Sequence, residues 1–206
     1  MPFKQAYISS FKPVFPMNEV RANKIYNSIA LAISNVCPRK KTNLLNQLMK
    51  LSADFNFQHS TVLQSQECFN AWHNSVTEQL MLVPFSWTDK SEKSHATLSF
   101  GAAQKMINLA LKDWWAISPS AFTSNCHFLH APLDQIVYAS VRRVFGALPS
   151  LKGKKGMPLS YIYNLKTADY YVYQTNIQAM AASLSASLKI PLLLRVEVDQ
   201  LLWKWV

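Results

Sequence analysis

The sequence predicts an all-α fold: a single-domain helical bundle of about seven helices with an extended N-terminal arm. Half of the 206 residues are apolar, which is enough for a sizeable core. Only four residues are glycine, fewer than the turns of an all-β sandwich or barrel need. Apolar residues also recur at helical spacing. We treat residues 1–206 as one domain, and the polar stretch 85–98 is where two subdomains would divide.

The beginning of the chain predicts an arm followed by two helices. Residues 1–17 are interrupted by prolines and form the extended arm. The first helix is expected to begin at Asn18, a favourable N-cap residue, and to end at Pro38, because the residue before a proline disfavours helical geometry. The second helix is expected after Thr42, where leucines follow at helical spacing.

A third helix and a surface loop complete the first half. Ser60 or Thr61 is the expected N-cap of this helix, and Pro84 ends it. The stretch 85–98 is rich in polar and turn-forming residues, which is typical of a surface loop.

The fourth predicted helix, residues 99–117, is the most regular of all. Its apolar residues repeat with helical period, and a narrow polar stripe runs along one face. The members of this stripe are Gly101, Lys105, Asn108 and Lys112. Their spacing of three and four residues places them on successive turns.

The second half alternates loops and helices. Residues 118–130 form a loop, and Pro132 is expected early in the fifth helix because an N–H is not needed there. Residues 146–158 hold three of the four glycines and form another loop. A long helix is expected over 167–189. From Pro191 onwards we expect a last helix rather than a strand, since no good partner strand is present.

The segment 125–134, "NCHFLHAPLD", is the densest in chemically active side chains. Cys126, His127 and His130 are candidate metal ligands within five positions. Structural zinc sites, however, use four ligands that usually come as two close pairs, and no second pair is present. We therefore assign no metal and expect no cofactor.

The same segment raises a catalytic alternative. His127, His130 and Asp134, together with Lys105, are the side chains that a nuclease-like or other hydrolase would use for acid–base chemistry. A plainer interpretation is that Pro132 and Asp134 mark the start of a helix, where a carboxylate accepts a backbone N–H. A third hypothesis is that Asp134 meets Lys105 and Asn108 across a helix pair as a buried polar anchor.

The chain is strongly basic, with 21 basic and 11 acidic residues and a net charge of +10. Such a charge attracts polyanions. The basic residues gather in three clusters, which we predict as the nucleic-acid-binding residues because cationic side chains neutralise backbone phosphates. These are Arg39, Lys40 and Lys41, then Arg142 and Arg143, and then Lys152, Lys154 and Lys155.

These features favour a non-enzymatic, basic helical binding module that contacts nucleic acid or an acidic protein surface. The hydrolase is the first alternative, and a protein-binding adaptor or inhibitor is the second. The apolar C-terminal end "LLWKWV" must dock on the body or on a partner, which leaves a homodimer open.

The sequence also bears on the environment of the protein. Three widely spaced cysteines do not form a disulfide framework, so a reducing compartment is the simplest expectation. No apolar run has the length of a signal peptide core or a membrane span. We therefore expect a cytoplasmic protein without a membrane partner.

Overall fold

The computed structural model describes residues 19–30, 38–88, 94–117, 126–145 and 165–204. Within these ranges the chain forms seven helices and one short hairpin, so the predicted all-α class is confirmed. The elements in chain order are α1 (Glu19–Ala30), α2 (Pro38–Val62), α3 (Gln66–Met81), β1 (Trp87–Thr88), β2 (Ser94–His95), α4 (Phe100–Ile117), α5 (Gln135–Phe145), α6 (Thr167–Leu188) and α7 (Arg195–Lys204). The predicted arm, 1–17, and the predicted loop, 146–158, lie outside the described residues.

Two predicted boundaries in the first half are wrong. Helix α2 begins at Pro38 and not after Thr42, because a residue without an N–H is well suited to the first turn of a helix. The predicted end of the first helix at Pro38 falls on residues 31–37, which lie outside the described ranges. Ser60 and Thr61 lie inside the same helix, and Ser65 is the N-cap of α3, where its Oγ accepts a hydrogen bond from the Cys68 N–H at 3.1 Å. Ser65 can act as the cap because the N–H of Cys68, in the first turn of α3, has no partner within the helix. Ser60 and Thr61 lie too early, since α2 has not yet ended there.

The predicted loop 85–98 contains a small antiparallel hairpin. Trp87 pairs with His95, and Thr88 pairs with Ser94. The indole Nε1 of Trp87 donates to the Thr97 carbonyl at 3.1 Å, which ties the hairpin to the segment that leads into α4. Two residues on each side are too few for a sheet with its own core, so the hairpin depends on the helices that it covers.

The fifth helix begins three residues later than predicted, at Gln135, because Asp134 is its N-cap. The Asp134 Oδ1 accepts hydrogen bonds from the N–H groups of Ile136 at 2.9 Å and Val137 at 3.0 Å. Two N–H groups that have no helical partner are thereby satisfied by one carboxylate oxygen. The prediction that Asp134 belongs to a helix start was correct, but Pro132 lies before the helix, which begins at Gln135.

The turn between α6 and α7 is held by its own hydrogen bonds. Lys189 adopts the left-handed conformation, with φ of 53°, which costs about 1 kcal/mol for a residue other than glycine. The Ser185 Oγ accepts from the Leu193 N–H at 2.9 Å, and the Glu197 Oε2 accepts from the Leu194 N–H at 2.8 Å. The second of these contacts is half of a capping box, and it sets the start of α7 at Arg195 rather than at the predicted Pro191.

The described core consists of two apolar clusters that meet at α4. The first is built mainly by helices α1 to α4, and it also contains Trp87, Cys126, Leu129 and Val196 of α7. The second is built mainly by α5, α6 and α7. Helix α4 is almost entirely buried along its length. Its fully buried apolar residues belong to the first cluster, whereas Phe100 packs against the second and several polar side chains contact residues of the second half.

Candidate functional site

The polar stripe of α4 is buried in the middle of the molecule. Asn108 is fully buried, and Lys105 and Lys112 are at most 7 % exposed. Gln104, which the sequence analysis did not include in the stripe, is also fully buried and donates to the Gly101 carbonyl at 2.8 Å. A buried helix with so many polar groups requires partners on the facing elements, because an unsatisfied buried group is costly.

The hydroxyl of Tyr170, from α6, is the centre of this network. It accepts a hydrogen bond from the Asn108 Nδ2 at 2.8 Å. Its oxygen lies 2.7 Å from the Nδ1 of His130 and 3.2 Å from the Nε2 of His73. The His73 ring stacks on the Tyr170 ring with a centroid distance of 5.3 Å. Three helices and the segment before α5 therefore converge on one phenol oxygen.

The hydrogen bonds around His130 define its tautomer. The Arg195 Nη2 donates to the Gln66 Oε1 at 2.6 Å, so the other end of the Gln66 amide is a donor. The Gln66 Nε2 lies 3.3 Å from the His130 Nε2, so the histidine nitrogen must be the acceptor of this hydrogen bond. The proton of the neutral His130 ring is therefore on Nδ1 and is donated to the Tyr170 hydroxyl.

The tautomer of His73 follows from the amide of Asn108. The Asn108 Nδ2 donates to the Gln104 Oε1 at 2.9 Å, so the Asn108 Oδ1 is an acceptor. The His73 Nε2 lies 3.0 Å from this oxygen and must carry the proton. The His73 Nδ1 is buried without a hydrogen-bond partner among the described residues, a deficit that costs less for a lone pair than for an N–H.

Arg195 closes the network on the side of α7. Its guanidinium is buried and donates to the carbonyls of Leu129, Phe128 and His127 at 3.1, 2.7 and 3.1 Å, in addition to Gln66. Burial lowers the pKa of Arg195 to about 10, so the group stays charged at neutral pH. Several carbonyl dipoles from one short turn thus solvate a cation that the fold has removed from water.

Three ionisable groups of the network, His73, His130 and Tyr170, are held in their neutral forms. Burial lowers the pKa of His73 to about 4, with the hydrogen bond to Asn108 opposing and the charge of Arg195 adding to the effect. Burial also lowers the pKa of His130 well below its usual value. Burial raises the pKa of the Tyr170 phenol well above its usual value. All three groups resist ionisation at neutral pH, which suits a structural network better than proton transfer.

Three buried ion pairs join α4 to other elements. The Lys105 Nζ lies 3.9 Å from the Asp134 Oδ2, and Lys112 is hydrogen-bonded to Asp199 of α7. On the other side, the Arg21 Nη1 of α1 donates to the Asp113 Oδ2 at 2.8 Å. Helix α4 therefore provides the cation in two of these ion pairs and the anion in the third.

Burial shifts the pKa values of Lys105 and Asp199 in opposite directions, and both shifts favour the neutral form. Burial lowers the pKa of Lys105, and the neighbouring carboxylates of Asp134 and Asp199 oppose this effect. Burial raises the pKa of Asp199, which the charge of Lys112 partly offsets. Lys105 and Asp199 therefore each depend on a neighbouring opposite charge to offset the effect of burial on their pKa.

The structure separates most of the candidate residues of the segment 125–134. His127 is exposed and its ring contacts that of Phe128, whereas His130 is only 1 % exposed and Cys126 is fully buried. Lys105 and Asp134 do come together, as the anchor hypothesis required, but Asn108 contacts Tyr170 and His73 instead. No three metal-binding side chains in the described ranges are grouped so that they could hold an ion.

The predicted basic clusters are described only in part. Arg39 and Arg143 are exposed, and Lys40 and Lys41 are partly buried at the start of α2. The Lys40 Nζ donates to the Ser86 Oγ at 2.6 Å, and the Lys41 Nζ lies 4.7 Å from the centre of the Tyr26 ring. The side chain of Arg142, and the residues Lys152, Lys154 and Lys155, lie outside the part that the structure describes.

Sequence reasoning missed the residues that complete the network. His73 and Tyr170 lie among apolar residues at helical spacing, a pattern that indicates ordinary core positions. Arg195 and Gln66 gave no local signal, since they are 129 positions apart. The one usable signal was the polar stripe of α4, because a polar stripe on so apolar a helix requires polar partners.

Comparisons of this chain with protein-family models, with curated protein sequences and with solved structures find no match. Among the described helices, none combines the length and the apolar character that crossing a membrane requires.

Proposed function

We propose that this protein is a helical binding module for a polyanion, with nucleic acid as the first ligand to test, and that it is not an enzyme. The observation that carries the proposal is the distribution of charge between the described core and the rest of the chain. The buried charged residues are Arg21, Lys105, Lys112, Arg195, Asp113, Asp134, Glu197 and Asp199. They comprise four cations and four anions, so the described core is neutral.

The whole excess of positive charge therefore lies elsewhere. Removing four from the 21 basic residues leaves 17, and removing four from the 11 acidic residues leaves seven. The difference of ten is the full net charge of the chain, and it belongs to the described surface and to residues outside the described ranges. A charge of this size outside the core attracts polyanions over about a Debye length.

The enclosure of the candidate catalytic groups supports a binding function over hydrolysis. His130, Asp134 and Lys105 are all at most 7 % exposed, and each already has a partner within the fold. A general acid or base must come within hydrogen-bond reach of a substrate. Of the proposed catalytic residues in this segment, the exposed one is His127, and its ring contacts that of Phe128.

The test is the salt dependence of binding to a mixed pool of single-stranded RNA and DNA oligonucleotides. Binding is expected to weaken steeply between about 50 and 200 mM salt, because bound cations are released from the phosphates. Arg39→Gln and Arg143→Gln are each expected to lower the slope of log K against log salt by about one. Lys189→Gln, at an exposed lysine outside the predicted clusters, is the matched control. Absence of binding at low salt would overturn the proposal.

A further inference from the structure

We propose that the cleft at the β1–β2 hairpin, beside Lys40, binds a phosphate group. This inference deepens the proposed function and rests on it, because it assigns one contact of the polyanion to a built site. The cleft has a volume of about 330 Å³ and is lined by Ser86, Trp87, Thr88, Ser94, His95 and Ala96. This volume falls at the lower end of the range of small-ligand sites.

The lining of the cleft has the chemistry that phosphate oxygens need. Ser86 and Ser94 provide hydroxyl groups, and Thr88 and His95 line the same cleft. None of the lining residues that the structure describes is acidic. Hydroxyls and ring N–H groups donate to phosphate oxygens, and a nearby cation makes these hydrogen bonds stronger.

Lys40 supplies that cation at the edge of the cleft. Its Nζ donates to the Ser86 Oγ at 2.6 Å, so the ammonium group is held directly against a lining residue. An ammonium has three N–H groups, and this contact uses one of them. A phosphate that enters the cleft next to Ser86 would therefore lie within reach of the lysine charge.

The first turn of α2 is fixed against the hairpin on its other side. The Lys41 ammonium lies over the ring of Tyr26, and that ring makes an edge contact with Phe85 at a centroid distance of 6.1 Å. Phe85 is fully buried and immediately precedes Ser86. These contacts hold the basic turn next to the cleft, and Arg39 in the same turn is exposed. The first turn of α2 contains no acidic residue that would repel an anion.

Two of the residues that line the cleft pack against each other. The rings of Trp87 and His95 stack with a centroid distance of 4.2 Å and an interplanar angle of 14°. Trp87 is buried and is itself fixed by its hydrogen bond to the Thr97 carbonyl. A preorganised imidazole loses little entropy when a ligand binds. A second cleft, between α2, α3 and α4, is small and apolar, and offers a phosphate nothing comparable.

The experiment uses inorganic phosphate as the probe and follows the backbone amide and indole signals of residues 86–96 by NMR. Saturable shifts confined to the hairpin are expected for the full chain. Lys40→Gln is expected to weaken phosphate binding about tenfold, because it removes a charge-assisted hydrogen bond. Lys50→Gln, an exposed lysine on the same helix, should change binding within about twofold. Ser94→Ala, which removes one lining hydroxyl and leaves all charges in place, should also weaken binding.

A second arm separates this inference from the proposed function. The same variants are titrated with the oligonucleotide pool, and circular dichroism checks that each is folded. If oligonucleotides bind but Lys40→Gln and Lys50→Gln weaken binding equally, the cleft is not the phosphate site and the inference fails alone. If free phosphate binds in a Lys40-dependent way but oligonucleotides do not bind, the cleft is correct and the proposed function fails. Absence of hairpin shifts with phosphate overturns the inference directly.

Discussion

The two sides of helix α4 are held in the fold by different kinds of contact, apolar packing on one side and hydrogen bonds and ion pairs on the other. Towards α2 and α3 it presents Ile107, Leu111 and Trp114, which pack with apolar residues of the first cluster. Towards α6 and α7 it presents Asn108 and Lys112, which contact Tyr170 and Asp199. Both sides are buried to a similar degree, so the difference between them is chemical and not one of exposure.

The comparison shows what each kind of contact contributes. Apolar contact is non-directional, so it stabilises the helix pair in several related arrangements. Hydrogen bonds and ion pairs in a dry site are directional, and a partner that is missing leaves a buried charge or donor unsatisfied. We expect the polar side to fix which arrangement is adopted and the apolar side to supply most of the stability.

The largest effect is expected from breaking the polar side at Asp134. Asp134→Ala removes the N-cap of α5 and the partner of Lys105, and should lower the free energy of unfolding by about 4 kcal/mol. Asp134→Asn keeps a capping oxygen and removes only the charge, so it should lose less. Urea denaturation of both variants measures the difference. Unchanged stability of Asp134→Ala would show that neither contact matters.

A cavity on the apolar side tests the other half of the comparison. Leu111 is 3 % exposed, so Leu111→Ala should lower the free energy of unfolding by about 3 kcal/mol. Leu111→Met, which conserves volume, should cost less than about 1.5 kcal/mol. The same denaturation experiment measures both. If the two substitutions cost the same, packing at this position is not what stabilises α4.

Acid should weaken the polar side selectively. The pKa of His73 is about 4 in the folded protein, against an ordinary value of 6.5 that applies to the unfolded chain. As the pH falls, the unfolded chain therefore binds this proton before the folded protein does. The contribution of His73 to stability is complete above pH 6.5 and is lost as the pH falls towards 4, by roughly 3 kcal/mol. His130 changes stability in the same direction.

The pH profile needs a variant as its control because other groups titrate nearby. The pKa of Asp199 is raised by burial, so its protonation favours the folded state and acts in the opposite direction. Thermal melts of the wild type and His73→Gln between pH 7 and pH 4 isolate the histidine. The variant should show a shallower loss of stability. Parallel profiles would mean that His73 is not the group that titrates.

The smallest effect is expected at the centre of the network. Tyr170→Phe keeps the buried ring and removes the oxygen that accepts from Asn108 and His130, and should cost about 2 kcal/mol. Calorimetric melting measures the loss. His130→Phe combined with Tyr170→Phe removes the opposing donor as well, so it should cost less than the sum of the two single changes. Strict additivity would contradict a shared network.

Local chemistry explains which parts of this molecule were predictable. The boundaries of α4 and α6 were predicted within one residue, because apolar period and flanking turn residues act over short distances. Asp134 was recognised as helix-start chemistry, although the helix begins at Gln135. The contact of Lys105 with Asp134 could be anticipated because both residues stand out as charges on apolar segments. The start of α2 was predicted too late because a proline suits both the end of one helix and the first turn of the next.

The sequence alone determined the all-α class, the positions of most helices and the strongly positive charge, since these depend on local period and on composition. Only the tertiary structure decided that His130, which looked like a metal ligand or a catalytic base, is a buried donor to Tyr170. It also decided that Arg195 is solvated by the carbonyls of residues 127–129. Partners so far apart along the chain leave no periodic signal, because their pairing is set by how whole helices pack.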